Sequence, residues 1–272
     1  MAITAADVKK LRTATNAGMM DCKKALTDAN GDFNEAVKII RKKGLAIANK
    51  RADREATEGC VLAQVNGTKG AMIALNCETD FVAKNENFIA LTQQILDIAL
   101  ENMPADKDAL LALPMDGRTI NDIVLEQTGI IGEKLEISFY GNIDAASSFA
   151  YIHPGNKLAT LVGFNKTTDV DTMKDIAMQT AAMAPIAIDK DGVSEEIVAR
   201  ELEVAKGKAL EEGKPEAMLE KIAAGRINKF FQEVTLLNQN FIKENKQSVK
   251  QHLASIDKDL TVTQMVRFTL NA

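Results

Sequence analysis

The centre of the chain carries the stretch that decides the fold, Gly59-Cys-Val-Leu-Ala-Gln-Val-Asn-Gly-Thr-Lys-Gly-Ala-Met-Ile-Ala-Leu-Asn-Cys77. Two apolar runs flank Asn66-Gly67, and this dipeptide between such runs is the strongest local signal for a tight β-hairpin turn. The acidic residues Glu78-Thr79-Asp80 follow, and apolar residues then recur at helical spacing up to Pro104. The stretch therefore predicts a β-hairpin, an acidic loop and a helix.

The same order of elements occurs again in the second half of the chain. Residues 148–153 and 158–164 read as a second hairpin around a turn at 154–156, and a helix follows to Pro185. Each half then closes with a helix and a strand. Because internal repetition indicates a duplicated unit, we predict an α+β core of two copies, each with a three-stranded antiparallel sheet.

Residues 4–44 precede this core and read as three short helices. Thr4 and Asp7 form a capping-box pattern before the first helix. The second helix is predicted to stop at Asn30-Gly31 and the third at Gly44. Forty residues of this kind predict a small bundle.

Charge separates this bundle from the core. The whole chain carries −5, but residues 1–55 contain twelve Lys or Arg and seven Asp or Glu, a net +5. Residues 45–55 are predicted to be a helical or flexible linker, with Lys50-Arg51 solvated rather than bound to RNA. We predict three parts, with limits at 1–55, 56–143 and 144–272.

The second copy holds an insert at about 193–231. Ser194 is predicted to cap a helix whose apolar residues, Val198, Leu202, Ala205 and Ala209, have the spacing of a coiled-coil seam. Gly213-Lys214-Pro215 turns the chain into a returning helix. We predict a helical hairpin that pairs with itself or projects to a second protein, and dimerisation through it is one reading.

Composition excludes several classes of protein. The chain has 272 residues, 46% hydrophobic and 26% charged, which is typical of globular domains and unlike disordered or collagen-like chains. No apolar stretch is long enough to span a membrane, and the first ten residues lack the order of a secretory signal. We expect a cytoplasmic protein that makes no membrane contact.

Few side chains are available for catalysis or for holding a metal. Cys22, Cys60 and Cys77 form no C-x-x-C pair, and only His153 and His252 supply imidazoles. Aromatic residues are 4% of the chain, which leaves few for stacking on bases or a cofactor. We predict no catalytic residue, no metal, no cofactor and no direct nucleic-acid contact.

Two patterns that suggest a nucleotide site or an acid–base pair fail on spacing. In Gly129-Ile-Ile-Gly132-Glu133-Lys134 the glycines are too close for a phosphate loop, so the stretch is predicted to be turn or loop. Glu78 and Asp80 point in different directions on a helix, which favours a surface acidic turn over paired catalytic carboxylates.

Two sites leave a choice between burial and exposure. Phe81 is either an anchor tucked under the following helix, which general burial statistics favour, or an apolar wedge presented to a partner. Met19 and Met20 point about 100° apart on a helix. A thin bundle hardly buries both, so one belongs to the core or the pair forms a docking surface.

Two long strings of the sequence carry a family resemblance. The first is Leu11-Arg12-x-x-Thr15-x-Ala17-Gly18-Met19-Met20-Asp21-Cys22-Lys23-Lys24-Ala25-Leu26, and the second is Cys77-Glu-Thr-Asp-Phe-Val-Ala-Lys-Asn85. Both resemble the bacterial elongation factor Ts family. The likeness continues through Tyr151-x-His153, the helical hairpin and the final strand, so it covers essentially the whole chain.

The resemblance implies a non-catalytic guanine-nucleotide exchange factor for elongation factor Tu, the GTPase that delivers aminoacyl-tRNA. It implies a ubiquitin-associated-like bundle that docks through Arg12, Met19 and Met20, and a second-copy contact at His153. The exchange loop that it implies is Thr79, Asp80, Phe81, Val82, Ala83, Lys84 and Asn85, with Phe81 as the wedge.

One departure and one rival accompany the resemblance. Better-known members continue into a C-terminal helical module, whereas the sequence here ends at residue 272, so that contact is expected to be absent or replaced. The rival from another class is a ubiquitin-associated-like adaptor without exchange activity. It explains residues 4–44 but not the loop that carries Phe81.

Overall fold

The computed structural model describes residues 3–15 and 17–270. The chain separates into two compact units, Met1–Leu62 with Ile73–Tyr140 and Ala63–Met72 with Gly141–Ala272. Helices and antiparallel sheets occur in both copies of the predicted core, so the α+β class is confirmed.

Three helices open the first unit: α1 (Ala5–Thr15), α2 (Met19–Asp28) and α3 (Phe33–Arg51). Their common core is built of side chains at helical spacing, among them Val8, Leu11, Cys22, Leu26, Ala36 and Ile40. The predicted capping pattern is present, because the Thr4 backbone N–H donates to the Asp7 carboxylate at 3.0 Å. The Asp7 N–H donates in return to the Thr4 hydroxyl at 3.2 Å.

The first copy of the core begins with β1 (Glu58–Asn66) and β2 (Lys69–Cys77), joined by the predicted turn, in which Gly67 has a φ of 62°. The remaining elements are α4 (Asp80–Ala83), α5 (Glu86–Asn102), α6 (Lys107–Ala112), β3 (Pro114–Met115), β4 (Arg118–Thr119), α7 (Ile120–Ile131) and β5 (Glu136–Asp144). In the three-stranded sheet, β2 lies between β1 and β5.

The prediction that the third helix ends at Gly44 is wrong, since α3 continues to Arg51. Gly44 is buried where α3 crosses α7. A Cβ added at Gly129 of α7 would lie 2.1 Å from the Gly44 Cα, closer than any real contact. The predicted turn or loop is therefore wrong for residues 129–131, which end α7, and right for residues 132–134. Gly129 permits two helix backbones to touch.

The second copy repeats the plan. Its elements are β6 (Ser147–Ile152), β7 (Leu158–Phe164), α8 (Val170–Met183), α9 (Glu195–Glu211), α10 (Leu219–Val234), β8 (Asn240–Phe241), β9 (Glu244–Ser248), α11 (Val249–Ile256) and β10 (Val262–Thr269). Here β7 pairs antiparallel with both β6 and β10. The strand order matches that of the first sheet, so the predicted pair of three-stranded sheets is confirmed.

The insert of the second copy consists of α9 and α10. Ser194 caps α9, as predicted. Ala205 and Ala209 of α9 and Ala223 and Ile227 of α10 are buried, which is how the two helices bury their apolar stripes. Two helices joined by a tight turn therefore form this part, and the second runs to Val234, slightly past the predicted limit.

Each copy also has a short hairpin that the sequence did not predict. β3 pairs with β4 in the first copy, and β8 pairs with β9 in the second. Each hairpin leads into a helix that starts with a capping box, at Thr119 and Asp122 for α7 and at Ser248 and Gln251 for α11. The capping boxes were a readable signal for these two helix starts.

Candidate functional site

The loop after β2 becomes a short helix that carries Phe81. Thr79 is the N-cap of α4, where its hydroxyl accepts the Val82 backbone N–H at 3.5 Å. Asn85 then caps α5 by accepting the Asn87 N–H at 2.9 Å. Phe81 is 83% exposed. The expectation of a buried anchor is therefore wrong, and the side chain lies in solvent as a wedge would.

The charged residues of this segment are paired along the helix. Lys84 Nζ lies 2.6 Å from Asp80 Oδ2. The hydrogen bond and the negative charge of Asp80 raise the pKa of Lys84. Because the pair spans one helical turn, it supports α4 on its exposed side.

Glu78 holds the start of the segment. Its carboxylate accepts hydrogen bonds from Arg51 at 2.7 Å, Arg54 at 3.0 Å and the Lys134 backbone N–H at 2.6 Å. Burial alone would raise the pKa of Glu78, but these three donors outweigh it and lower the pKa to about 2. Arg51 is thus an ion-pair partner rather than part of a solvated linker.

Glu133 faces the same segment from the loop before β5. Its carboxylate accepts the Glu78 N–H at 3.1 Å, the Thr79 N–H at 3.0 Å and the Thr79 hydroxyl at 2.6 Å. Burial, reinforced by the Glu133 carboxylate, raises the pKa of the neighbouring Cys77 thiol to about 12. Sequence reasoning missed Glu133, because no local pattern links residues more than fifty positions apart.

Arg12 and Phe81 line one cavity of about 500 Å³ in the first unit. Val82, Asn85 and Gln127 also border it. The structure therefore brings together the predicted docking residue of α1 and the tip of the loop.

Met19 and Met20 are both exposed, at 59% and 74%, so neither is a core residue. They line a groove of about 610 Å³ together with Ile3, Val8 and Arg12. A groove with an apolar floor and basic edges suits an acidic or mixed protein surface.

His153 belongs to the second unit, at the end of β6. Its Nδ1 lies 2.9 Å from the Tyr151 hydroxyl, and its backbone N–H donates to the Leu158 carbonyl at 2.8 Å. The imidazole is exposed. A fixed, accessible ring of this kind suits a contact with a partner.

Residues 3–15 and 17–270 contain neither a metal-binding cluster nor a membrane-spanning helix. No cluster of three or more His, Cys, Asp or Glu side chains there is arranged to hold a metal ion. Within the same ranges, no helix combines the length and the apolar character needed to cross a membrane.

Comparison with known proteins places these features in one family. Residues 78–272 match the family described as Elongation factor TS. Proteins named Elongation factor Ts are 52% identical in Porphyromonas gingivalis, over the full length of both chains, and 47% identical in Azobacteroides pseudotrichonymphae, over all of this chain and 99% of the relative. A third, from Christiangramia forsetii, is 48% identical over 98% of each chain. With the loop that carries Phe81 lying inside the matched region, the chain belongs to the elongation factor Ts family.

Proposed function

We propose that the chain is a guanine-nucleotide exchange factor for elongation factor Tu, which binds the GDP-bound GTPase and promotes release of GDP. The observation that carries this is Phe81, an exposed aromatic side chain at the tip of a capped and ion-paired segment. An apolar ring costs free energy when left in water, so a partner surface that buries Phe81 gains that free energy on binding.

The physical basis is thermodynamic linkage. A factor that binds the nucleotide-free GTPase more tightly than the loaded form must weaken nucleotide binding by the same factor. No bond in the nucleotide is made or broken, so the role is binding rather than catalysis. Insertion of Phe81 among the groups that hold the phosphates and Mg²⁺ on the GTPase supplies this differential binding.

The other predicted residues have separate roles in this proposal. Arg12, Met19 and Met20 dock the N-terminal helices on the GTPase, and their exposure on one groove supports this role. The segment from Thr79 to Asn85 inserts at the nucleotide site. His153 makes a second contact from the other unit.

We further propose the finer architecture that accompanies this function. Residues 1–55 form a ubiquitin-associated-like domain with its linker, and 56–143 and 144–272 form the two core subdomains. The hairpin of α9 and α10 is a projecting coiled coil, supported by the buried Ala205, Ala209 and Ala223 along its seam. It is also the surface through which a dimer would form.

Release of a fluorescent GDP analogue from elongation factor Tu tests the function. A substoichiometric amount of the chain should accelerate release, because an exchange factor dissociates and acts again. Binding without acceleration would favour the alternative of a ubiquitin-associated-like adaptor without exchange activity, which no observation supports. A rate unchanged by a saturating amount of the chain would exclude exchange activity.

A further inference from the structure

Glu133 lies outside the segment proposed to touch the GTPase, yet its carboxylate binds both residues that lead into α4. Oε2 accepts the backbone N–H groups of Glu78 and Thr79 at 3.1 and 3.0 Å. Oε1 accepts the Thr79 hydroxyl at 2.6 Å. One partly buried carboxylate therefore receives three hydrogen bonds from a single turn of the chain.

The hydroxyl of Thr79 is used twice. It donates its hydrogen to Glu133 and accepts the Val82 N–H at the start of α4. Because a hydroxyl has one hydrogen, donation to the carboxylate leaves its lone pairs for the helix N-terminus. Glu133 thus fixes the orientation in which Thr79 caps α4.

A helix as short as α4 has little stability of its own. Asp80–Ala83 is four residues long, and helices of this length do not persist in water without external contacts. Phe81 is 83% exposed and so gains almost no packing that would hold its position. The direction of the ring therefore depends on what anchors the two ends of α4.

The anchor at the first end is reciprocal. The Glu133 carboxylate accepts N–H groups from residues 78 and 79, while the Glu78 carboxylate accepts the Lys134 N–H at 2.6 Å. Two loops distant in sequence are tied by bonds in both directions. Charged acceptors make these bonds stronger than ordinary backbone pairs.

We propose that Glu133 is a positioning residue for nucleotide exchange, which holds the Thr79 cap so that α4 presents Phe81 in the orientation that enters the GTPase. This inference rests on the proposed function. Glu133 acts through Phe81 and makes no contact with the nucleotide.

Paired variants of the full chain test the proposal, with GDP release from elongation factor Tu as the readout. Glu133→Ala should lower the stimulated rate by about tenfold or more, since charged hydrogen bonds are lost. In a Phe81→Ala background the same change should cost nothing further, because the ring to be positioned is gone. Equal losses in both backgrounds would overturn the proposal, as would a wild-type rate for Glu133→Ala.

Two further variants serve as controls. Glu133→Gln keeps an oxygen for the two backbone N–H groups and should recover most of the activity lost in Glu133→Ala. Asp257→Ala removes one of the two carboxylate partners of Lys166, which lies in the corresponding loop of the second copy, and should leave exchange unchanged. Failure of Gln to recover activity beyond Ala, or an equal loss in Asp257→Ala, would contradict a specific role for Glu133.

Hydrogen exchange measured on the free chain separates this inference from the function. Glu133→Ala should speed amide exchange in residues 79–84 about tenfold and leave the other segments unchanged. Unaltered protection there overturns the positioning role even if GDP release is stimulated. If Glu133→Ala loosens the whole chain, Glu133→Asp takes its place, because it keeps the charge but draws the carboxylate back from Thr79. A wild-type chain that fails to stimulate release would instead refute the proposed function.

Discussion

The loops that follow β2 and β7 occupy the same place in the two copies, but they differ in charge and in the helix that follows them. In the first copy, Glu78 and Glu133 accept hydrogen bonds between the loop and the residues before β5. In the second, Lys166 pairs with Asp257 at 2.9 Å and with Asp259 at 3.4 Å, before β10. In each copy, a charged side chain connects the loop after the hairpin with the residues before the closing strand. That side chain is the Glu78 carboxylate in the first copy and the Lys166 ammonium in the second.

The difference lies in what comes next. In the second copy Asp169 caps α8 directly, and Val170 is the exposed apolar residue at that helix start. In the first copy α4 stands between Glu78 and α5, and it carries Phe81 outward. The two copies thus differ here by one extra turn of helix, α4. The loop of the first copy presents an aromatic ring to solvent, whereas the loop of the second copy leads directly into α8.

The closing helices differ in a similar way. α7 has twelve residues and α11 has eight, although both start at a capping box after a short hairpin. The additional turn of α7 carries Gly129, which touches Gly44 of α3. The first copy therefore differs from the second in two places. The end of α7 contacts α3, and α4 carries Phe81 into solvent.

The contact at Gly129 should show the largest effect. Gly129→Ala should lower the free energy of unfolding by about 3 kcal/mol, because the new methyl group would overlap the α3 backbone. Gly44→Ala is the matched control at the same crossing. Its Cβ would meet Glu126 and Gly129 at ordinary distances of 3.6 Å, so stability should hold or rise. Urea unfolding measures both, and equal stability of the two variants would contradict the packing described.

Phe81 should show the next largest effect, on exchange. Phe81→Ala should reduce stimulated GDP release by about 30-fold, equivalent to about 2 kcal/mol for an aromatic anchor. Thermal unfolding should be unchanged, since the ring is exposed in the free chain. Val170→Ala, which removes the exposed apolar side chain at the start of α8 in the second copy, is the control and should keep full activity. A Phe81→Ala chain as active as the wild type would remove the ring from the mechanism.

His153 should show a smaller effect of a different kind. His153→Ala should raise the chain concentration needed for half-maximal stimulation by about fivefold, equivalent to roughly 1 kcal/mol of binding. The maximal rate should stay the same, because the contribution proposed for the second unit is affinity rather than entry into the nucleotide site. A titration of exchange rate against chain concentration separates the two quantities. A drop in the maximal rate alone would show that the division of roles is wrong.

Acid should weaken the interactions of Glu78 and of Asp257 to different extents. The folded-state pKa of Glu78 is about 2, below its ordinary value of 4.5, so its stabilising contribution is full above about pH 4.5 and is lost as the pH falls toward 2. The stability gap between wild type and Glu78→Gln should therefore close over that range.

Asp257→Asn provides the comparison for this acid effect. The hydrogen bond from Lys166 also lowers the pKa of Asp257, but that pair is exposed, so the gap should be smaller. Urea unfolding at pH 7 and pH 3 measures the difference in stability from wild type for both variants. A difference for Glu78→Gln that grows in acid would contradict the lowered pKa of Glu78.

Local patterns were enough to predict the repeated sheets and the helix caps. Asn66-Gly67 and the capping residues act within a few positions, where steric limits and hydrogen bonding decide the backbone. Gly44 misled the prediction because a glycine that ends a helix and one that allows a close crossing look alike in sequence. The second requires knowledge of α7, whose Gly129 packs on Gly44 from 85 positions further along the chain.

The candidate site divides in the same way. The motif placed Phe81 at the loop tip, but its exposure could not be read from residue type, since most phenylalanines are buried. Glu133 and Arg51 reach Glu78 only in the folded chain. Their contribution depends on which residues come close together in the folded chain, and periodicity and composition do not show this.

The burial of the cysteines has a practical consequence for thiol chemistry. The sequence has three cysteines, and Cys22, Cys60 and Cys77 are all buried. With a pKa of about 12, Cys77 is almost wholly a thiol at neutral pH and a poor nucleophile toward alkylating dyes. A Phe81→Cys variant would thus carry its one readily labelled sulfur at the tip of α4, and a fluorophore attached there would report directly on what that tip enters.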